Sequence, residues 1–299
     1  MLRAGIVGLG DMGSGIAKNL IANGFQTTGF DLDSKRLEAF AAMGGRVASD
    51  AAEVGDHADA VFIMVMTGAQ AKSVLFGDAG NKGLVNHLAA GSVVILTATI
   101  KPAEAREIGA MMADSGVHLV DSPVSGGFPG AQGGTLTMMA AAEPAVLEAA
   151  APVMQAVSST IHHVGTEAGM GQTVKACLQS LIGSIFSAVF EASVLAAKAG
   201  VSGEVLYNVF ATSGAGCGVM KTALGNIIDR QFENTGSHIA TMHKDLTISL
   251  ALAEELGVPM HTASTAMQLF HAGKTKYPDG DNWVVTRVLE EIAGAALHR

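Results

Sequence analysis

Three glycines in the pattern G-x-G-x-x-G, Gly8, Gly10 and Gly13, come directly after the apolar run Ala4–Val7. No other feature restricts the fold so tightly. Such a loop needs a strand before it and a helix after it. The first glycine permits the tight turn, the second lets the backbone approach a pyrophosphate, and the third allows close helix–strand packing. The context fits. Met12, Ile16, Ala17, Leu20 and Ile21 recur at helical spacing, and Gly24 stands where the helix should stop. The pattern alone is a weak signal in a chain with 37 glycines, so its value lies in that placement.

The first half continues as strands alternating with helical segments. Strands are expected at Ala4–Val7, Phe25–Phe30, Ala60–Met66, Val93–Leu96, His118–Val120 and Leu136–Ala140. This alternation implies βαβ units and a mostly parallel sheet. After about His163 the strand-like runs stop. One helix is expected over 169–198, and others over 203–211, 217–229, 237–256, 260–272 and 282–296. The fold expectation is therefore an α/β domain over 1–164, followed by an all-α domain over 165–299. No linker rich in proline or serine separates them, so the long helix is expected to join them.

Asp31 closes the second strand, 23 residues after Gly8. A carboxylate there can accept hydrogen bonds from both ribose hydroxyls of NAD and would repel the 2′-phosphate of NADP. No arginine follows Asp31 directly, which also favours NAD. Asp33 reads as a helix-start residue, and Arg36 as a residue of that helix.

A second constellation, Asp121-Ser-Pro-Val-Ser-Gly-Gly127, follows a later strand. Backbone N–H groups near Ser125, Gly126 and Gly127 can form a nest for a carboxylate, with the Ser125 hydroxyl as a further donor. An ordinary strand-to-loop turn explains the same residues equally well. Lys175 lies near the start of the long helix among apolar neighbours. Burying a lysine is costly unless it is paired or functional, and desolvation favours its neutral amine, which suits proton transfer near neutral pH. Gln179 lies four residues on, on the same face. Lys244 and Asp245 by themselves read as a solvated charge pair.

Other features exclude function classes. The formal net charge is -9 with no basic run, which argues against a nucleic-acid partner. Hydrophobic residues make up 49% and charged residues 15%, so disorder is not expected. The histidines at 162, 163, 238 and 243 lack metal-ligand spacing, and no metal is expected. The fifteen methionines read as core filler. The two cysteines, Cys177 and Cys217, read as free buried thiols of a reducing cytoplasm. The opening MLRAGIVGLG lacks signal-peptide architecture. The apolar stretch 176–197 carries Gln179, Ser180, Ser184, Ser187 and Glu191, which suits a buried helix better than a membrane span.

Taken together these motifs resemble the β-hydroxyacid dehydrogenase family over nearly the whole chain. The markers are Gly8-Leu-Gly-Asp-Met-Gly13, Asp121-Ser-Pro-Val-Ser-Gly-Gly127, Gly133-Gly-Thr-Leu-Thr137, Gly169-Met-Gly171 with Lys175, and Lys244-Asp-Leu246. The resemblance implies a Rossmann-type domain, a helical second domain and a cleft between them. It implies NAD held by Gly8, Leu9, Gly10, Asp11, Met12, Gly13 and Asp31, with Met64 and Val65 on the adenosine side. Thr99 would lie near the nicotinamide ribose, and Lys244 would approach the cofactor. Ser125, Gly126 and Gly127 would hold the substrate carboxylate, and Lys175 would be catalytic. A homodimer or homotetramer is implied.

Several positions depart from the usual family pattern. Leu178 and Gln179 stand where asparagines are common. Leu96-Thr-Ala-Thr99 replaces Asp-x-Ser-Thr, Thr67 and Gly68 replace a Pro-Asn type turn, and Trp283 stands where a small serine is frequent. Lys-x-x-x-Gln is similar to the threonate dehydrogenase branch. Gln179 can bind a substrate hydroxyl, whereas Leu178 removes a polar partner. The expected reaction is hydride transfer between NAD and a small 3-hydroxy acid or four-carbon sugar acid. Two alternatives stand beside it, an imine reductase and a non-catalytic dinucleotide-binding protein.

Overall fold

The computed structural model describes residues 3–78 and 81–299. Met1 and Leu2 of the opening run lie outside them. The chain divides into two compact units, Met1–Lys175 and Ala176–Arg299.

The first unit is an α/β layer structure. Its chain runs β1 (Ala4–Val7), α1 (Asp11–Ala22), β2 (Thr27–Phe30), α2 (Ser34–Ala42), β3 (Arg46–Val47), α3 (Ala51–Asp56), β4 (Ala60–Ile63) and α4 (Gly68–Phe76). A small ribbon follows, β5 (Gly77–Asp78) with β6 (Asn81–Lys82). Next come β7 (Val93–Leu96), α5 (Pro102–Met112), β8 (His118–Asp121), β9 (Val124–Ser125), α6 (Gly127–Gly133), β10 (Leu136–Ala141), α7 (Pro144–Gln155) and β11 (Ser158–Gly165).

The main sheet has the order β11-β10-β8-β7-β4-β1-β2-β3, with β9 paired to β10. Neighbours are parallel except where β10 meets β8 and β9. Strands β1, β4 and β7 are buried throughout, which is why they read as unbroken apolar runs. Successive side chains alternate across the sheet. Ile6, Phe62 and Ile95 therefore enter one core with Ile16 and Leu20 of α1. Val7, Val61, Ile63, Val94 and Leu96 enter the other with Ile108 of α5.

The chain leaves β1 toward β2 on one side and returns to β4 on the other. The strand order reverses at β1, and ligands bind at the carboxyl ends of strands at such a switch point. The residues that follow those ends are the glycine loop after Val7 and Met64-Val65 after Ile63.

Some boundaries differ from expectation. The fourth strand ends at Ile63, not Met66, because Thr67 and Gln70 form a capping box that starts α4. β2 begins at Thr27, not Phe25. β11 carried no apolar run to announce it. Its residues Ser159, Thr160, His162 and His163 are exposed, and backbone pairing to β10 on a single side defines it.

The division between the units falls inside α8 (Met170–Lys198). The second unit holds the rest of α8 with α9 (Gly203–Thr212), α10 (Gly218–Ile228), α11 (Ile239–Leu256), α12 (His261–Lys276) and α13 (Val284–Ala293). Its core joins Phe186, Phe190, Leu246, Phe270 and Trp283. Gly183 brings α8 and α11 close, since a Cβ there would lie 2.8 Å from Leu246. α8 is long and apolar enough to cross a membrane by composition, with a mean hydropathy of 1.7 over its most apolar window. Half of that window is nevertheless buried in protein. Ser180, Ser184, Ser187 and Ser193 each donate to a carbonyl one turn back, so their burial orphans no hydroxyl.

Cys177 is exposed and Cys217 half-buried, contrary to the expectation that both are buried. The apolar residues of α8 extend beyond its packed face, so the side left uncovered shows Val174, Cys177 and Leu181. Both thiols are free.

Candidate functional site

The glycine loop takes the geometry its spacing demands. Gly8 has φ +95°, and a Cβ there would lie 2.2 Å from the Met64 carbonyl oxygen. At Gly13 a Cβ would lie 1.9 Å from the Gly8 carbonyl oxygen, so α1 presses directly on the loop. Gly10 is different. A Cβ there would meet nothing nearer than the Arg36 guanidinium at 3.8 Å. Internal packing does not require glycine at that position, and the open space leaves room for a pyrophosphate to approach the backbone there.

Gly10 also caps α1 without offering a side-chain acceptor. First-turn N–H groups of a helix capped in this way suit the oxygens of a pyrophosphate. Beside them lies a groove of about 290 Å³ lined by Leu9, Gly10, Asp11, Ser14, Lys35 and Arg36, among others. Met12 is half-buried behind it in the first core.

Asp31 is 9% exposed. Its Oδ2 accepts from Leu9 N at 2.6 Å and its Oδ1 from Asp33 N at 2.9 Å. The loop and the start of α2 thus fix the carboxylate. An ionised carboxylate has about four acceptor sites; the two N–H groups take two at short range, and the half-exposed Arg36 guanidinium reaches both oxygens only at 3.4 Å, so ribose hydroxyls would compete with Arg36 for them. Asp33 caps α2 through Lys35 N. Arg36 does more than its helix position suggested, since its guanidinium reaches Asp31 at 3.4 Å and Asp33 at 3.8 Å. These residues fit a dinucleotide.

Met64 and Val65 are half-buried at the end of β4. Thr99 is half-buried after β7, between two residues clamped by one side chain. Gln172, 1% exposed, accepts from Ile100 N at 3.0 Å through Oε1. Its Nε2 donates to Ala98 O at 3.0 Å and to Asp121 Oδ1 at 2.8 Å. The sequence reading did not single out Gln172. The available signal was a polar residue three positions before Lys175, one helical turn away on the same helix.

Asp121 is fully buried at the end of β8. Its Oδ2 accepts from Gly169 N at 2.8 Å and Gln172 N at 3.3 Å, so it caps the start of α8. Burial pushes its carboxyl above the usual carboxylate range, against the opposing pull of the donors on Gln172 and Gly169. The chain then runs through β9 to Ser125, half-buried, and to Gly126 and Gly127, which are exposed with φ of +129° and +58°. Those conformations belong to glycine.

Lys175 is 6% exposed, and its Nζ donates to Val124 O at 2.8 Å. That carbonyl immediately precedes the Ser125 N–H. The first unit thus brings the lysine to the head of the Ser125–Gly127 loop.

In the second unit Gln179 Nε2 donates to Asp245 Oδ2 at 2.6 Å. Lys244 Nζ lies 2.9 Å from Asp245 Oδ1, an ion contact without hydrogen-bond alignment. Asp245 is 3% exposed, so Lys244-Asp245 is not the solvated pair its sequence suggested. Gln179 and Asp245 lie on different helices 66 residues apart in the chain, and only the packing of α11 on α8 brings them together. Leu178 is half-buried. Trp283 stands edge-on to Phe186 at 5.2 Å, and its indole N–H donates to Thr235 Oγ1 at 3.0 Å.

The sequence model for the NAD binding domain of 6-phosphogluconate dehydrogenase matches residues 3–165. The model for the NAD-binding of NADP-dependent 3-hydroxyisobutyrate dehydrogenase matches residues 169–289. An L-threonate dehydrogenase of Escherichia coli is 34% identical over 96% of this chain and 95% of its own length. A 2-(hydroxymethyl)glutarate dehydrogenase of Eubacterium barkeri is 29% identical over 99% and 97%. The crystal structure of a 3-hydroxyisobutyrate dehydrogenase from Salmonella typhimurium superposes with a TM-score of 0.87 at 31% identity, covering 96% of this chain and all of that one. Two matched models covering the strand-rich and helical parts, a near-full-length relative above 30% identity and the geometry of the glycine loop lead to one assignment: the chain belongs to the β-hydroxyacid dehydrogenase family of nicotinamide-linked oxidoreductases.

Proposed function

We propose that the protein oxidises a small 3-hydroxy acid or four-carbon sugar acid with NAD, and that Lys175 moves the hydroxyl proton. The observation that carries this reading is the Lys175–Val124 contact, which places the amine beside the Ser125–Gly127 loop. In the oxidation direction the loop holds the substrate carboxylate through Ser125 and the N–H groups of Gly126 and Gly127. Neutral Lys175 accepts the hydroxyl proton as the C–H bond on the same carbon breaks. A dinucleotide held by the glycine loop, Asp31 and Thr99 would supply the acceptor for the hydride that leaves this carbon. In reverse, the Lys175 ammonium protonates the carbonyl oxygen. A well-placed general acid–base group contributes about 10²–10⁴-fold in rate.

Gly8, Leu9, Gly10, Asp11, Met12 and Gly13 take the pyrophosphate side, and Asp31 takes the adenosine ribose. Met64, Val65, Thr99 and Lys244 complete the cofactor contacts. The Asp31 carboxylate supports NAD over NADP, and Gln179 supplies a polar contact to the substrate. Residues 1–164 form the dinucleotide domain, which also carries the Ser125–Gly127 loop, and residues 165–299 form the substrate and self-association domain, which also gives Lys244 to the cofactor. The resemblance to L-threonate dehydrogenase and the amide of Gln179 favour a hydroxylated four-carbon acid within the class.

The test is NADH formation at alkaline pH with 3-hydroxyisobutyrate, glycerate, threonate, erythronate and longer 3-hydroxy acids, each with NAD⁺ and NADP⁺. Turnover of a carboxylate-bearing hydroxy acid, with NAD⁺ preferred, is expected. Turnover of cyclic imines without any hydroxy acid would replace the reading with imine reduction.

Self-association accompanies this function. The second unit exposes Leu181, Leu195, Val205, Val209, Leu256 and Ile292, and α9 buries only Gly203 among its residues. Apolar surface on this scale suits a homodimer or homotetramer. The free thiols suit a reducing cytoplasm.

A further inference from the structure

We infer that Gln172 is a positioning residue for this reaction. Its one amide locks together the Thr99 loop, the strand end at Asp121 and the helix turn that carries Lys175. The inference rests on the reading of Lys175 given above.

All three hydrogen-bonding directions used by the amide are dictated by the partners. Ile100 N can only donate, so Oε1 must face it. Ala98 O can only accept, so Nε2 must face that side. The second Nε2 hydrogen then points to Asp121 Oδ1. A flipped amide would set donor against donor and acceptor against acceptor, so the orientation is unique.

The consequences spread in three directions. Ala98 O and Ile100 N belong to the two peptide groups that flank Thr99. Both are held by the same side chain, so the backbone of Thr99 is fixed from each end. Asp121 starts the segment that leads to Ser125, Gly126 and Gly127, and Nε2 ties that strand end to the helix. Gln172 lies three residues before Lys175, and its own N–H is capped by Asp121 Oδ2. Glycines make the approach possible. A Cβ at Gly171 would lie 2.5 Å from both Asp121 O and Met139 O.

An amide fits where an apolar residue of similar size would orphan three buried polar groups, Ile100 N, Ala98 O and Asp121 Oδ1. A small displacement of Lys175 relative to the carboxylate loop costs rate without removing any group that touches a ligand. The effect belongs in kcat rather than in dinucleotide affinity.

The test compares wild type, Gln172→Met and Gln172→Glu in the full-length protein. Gln172→Met keeps the side-chain length and removes the polar contacts. The expected result is a fall in kcat of about 10- to 100-fold, with NADH affinity within about threefold of wild type. An unchanged kcat overturns the inference. So does a parallel loss of kcat and NADH binding, which marks a merely structural role.

Gln172→Glu adds a pH readout. Asp121 on β8 faces the introduced carboxyl directly; Lys175 lies one turn further along α8, and Arg106 on α5 reaches the helix start, its guanidinium within 3.3 Å of the Cβ position at Gly169. Ionised, the new carboxylate would face the Asp121 carboxylate and the Ala98 carbonyl. Protonated, it regains one donor. The activity ratio of Gln172→Glu to wild type should therefore rise as pH falls, and a flat ratio contradicts the inference.

Hydrogen exchange reads the same lock without any turnover. In Gln172→Met the amides of Ile100 and Gly169 should lose protection together, while the strands β1 and β4 keep theirs. Retained protection at both overturns the inference. Failure of every hydroxy acid with the wild-type chain would instead count against the proposed function, and the exchange result would still decide the role of Gln172.

Discussion

The proposed preference for NAD rests on one side chain, Asp31. Leu9 N and Asp33 N fix its carboxylate, and the Arg36 guanidinium reaches both of its oxygens at 3.4 Å. A 2′-phosphate brought there would meet a negative charge that cannot swing away. Asp31→Asn keeps the shape and removes the charge. The ratio of kcat/KM for NAD to that for NADP should fall by about tenfold or more, equivalent to ~1.4 kcal/mol of differential binding. Steady-state kinetics with both dinucleotides checks this. An unchanged ratio would mean that another group sets the preference. Trp283 offers the opposite lesson. From sequence it stood out only as a large residue where a small serine is frequent, and its place is within the helical core against Phe186.

At the scale of elements, the join between the glycine loop and α1 is the tightest point. Gly13→Ala drives a methyl into the Gly8 carbonyl. Thermal and urea unfolding should show a loss of about 1–3 kcal/mol, with weakened NADH binding. Full stability in this variant would contradict the described packing.

The start of α8 carries a pH signature. Burial raises the Asp121 carboxyl above its ordinary value, so the folded chain holds that proton more tightly than the unfolded chain does. The stability this provides is fully present below the ordinary carboxylate value and is lost as pH rises through the raised one. Asp121→Asn has no proton to lose. The difference in unfolding free energy between wild type and Asp121→Asn should move in favour of wild type as pH falls. Urea titrations across acidic to neutral pH measure it, and a constant difference would contradict the assignment.

These elements were unequally legible. β1, β4 and β7 were plain in the sequence because strands buried on both faces must be apolar throughout. The helices of the second unit were plain from periodicity, and the end of α1 from Gly24. β11 was hidden because an exposed edge strand needs only backbone partners. Lys175, Gly8 to Gly13 and Asp31 were visible as residues out of place in their surroundings. Gln172 and Asp245 were not, because their importance lies in partners 51 and 66 residues distant in the chain.

At the scale of the whole molecule, the proposed self-association rests on the apolar side chains exposed on the second unit. Light scattering on the intact protein should give the mass of two or four chains of 30.4 kDa. A monomer at micromolar concentration would refute self-association.

The central claim concerns the proton carried by Lys175, and a single comparison tests it most directly. Lys175→Ala should be assayed for hydroxy-acid turnover while NADH binding is measured on the same preparation. The account predicts a fall in kcat of about 10²–10⁴-fold with NADH affinity nearly intact. Turnover close to wild type in that variant would contradict it.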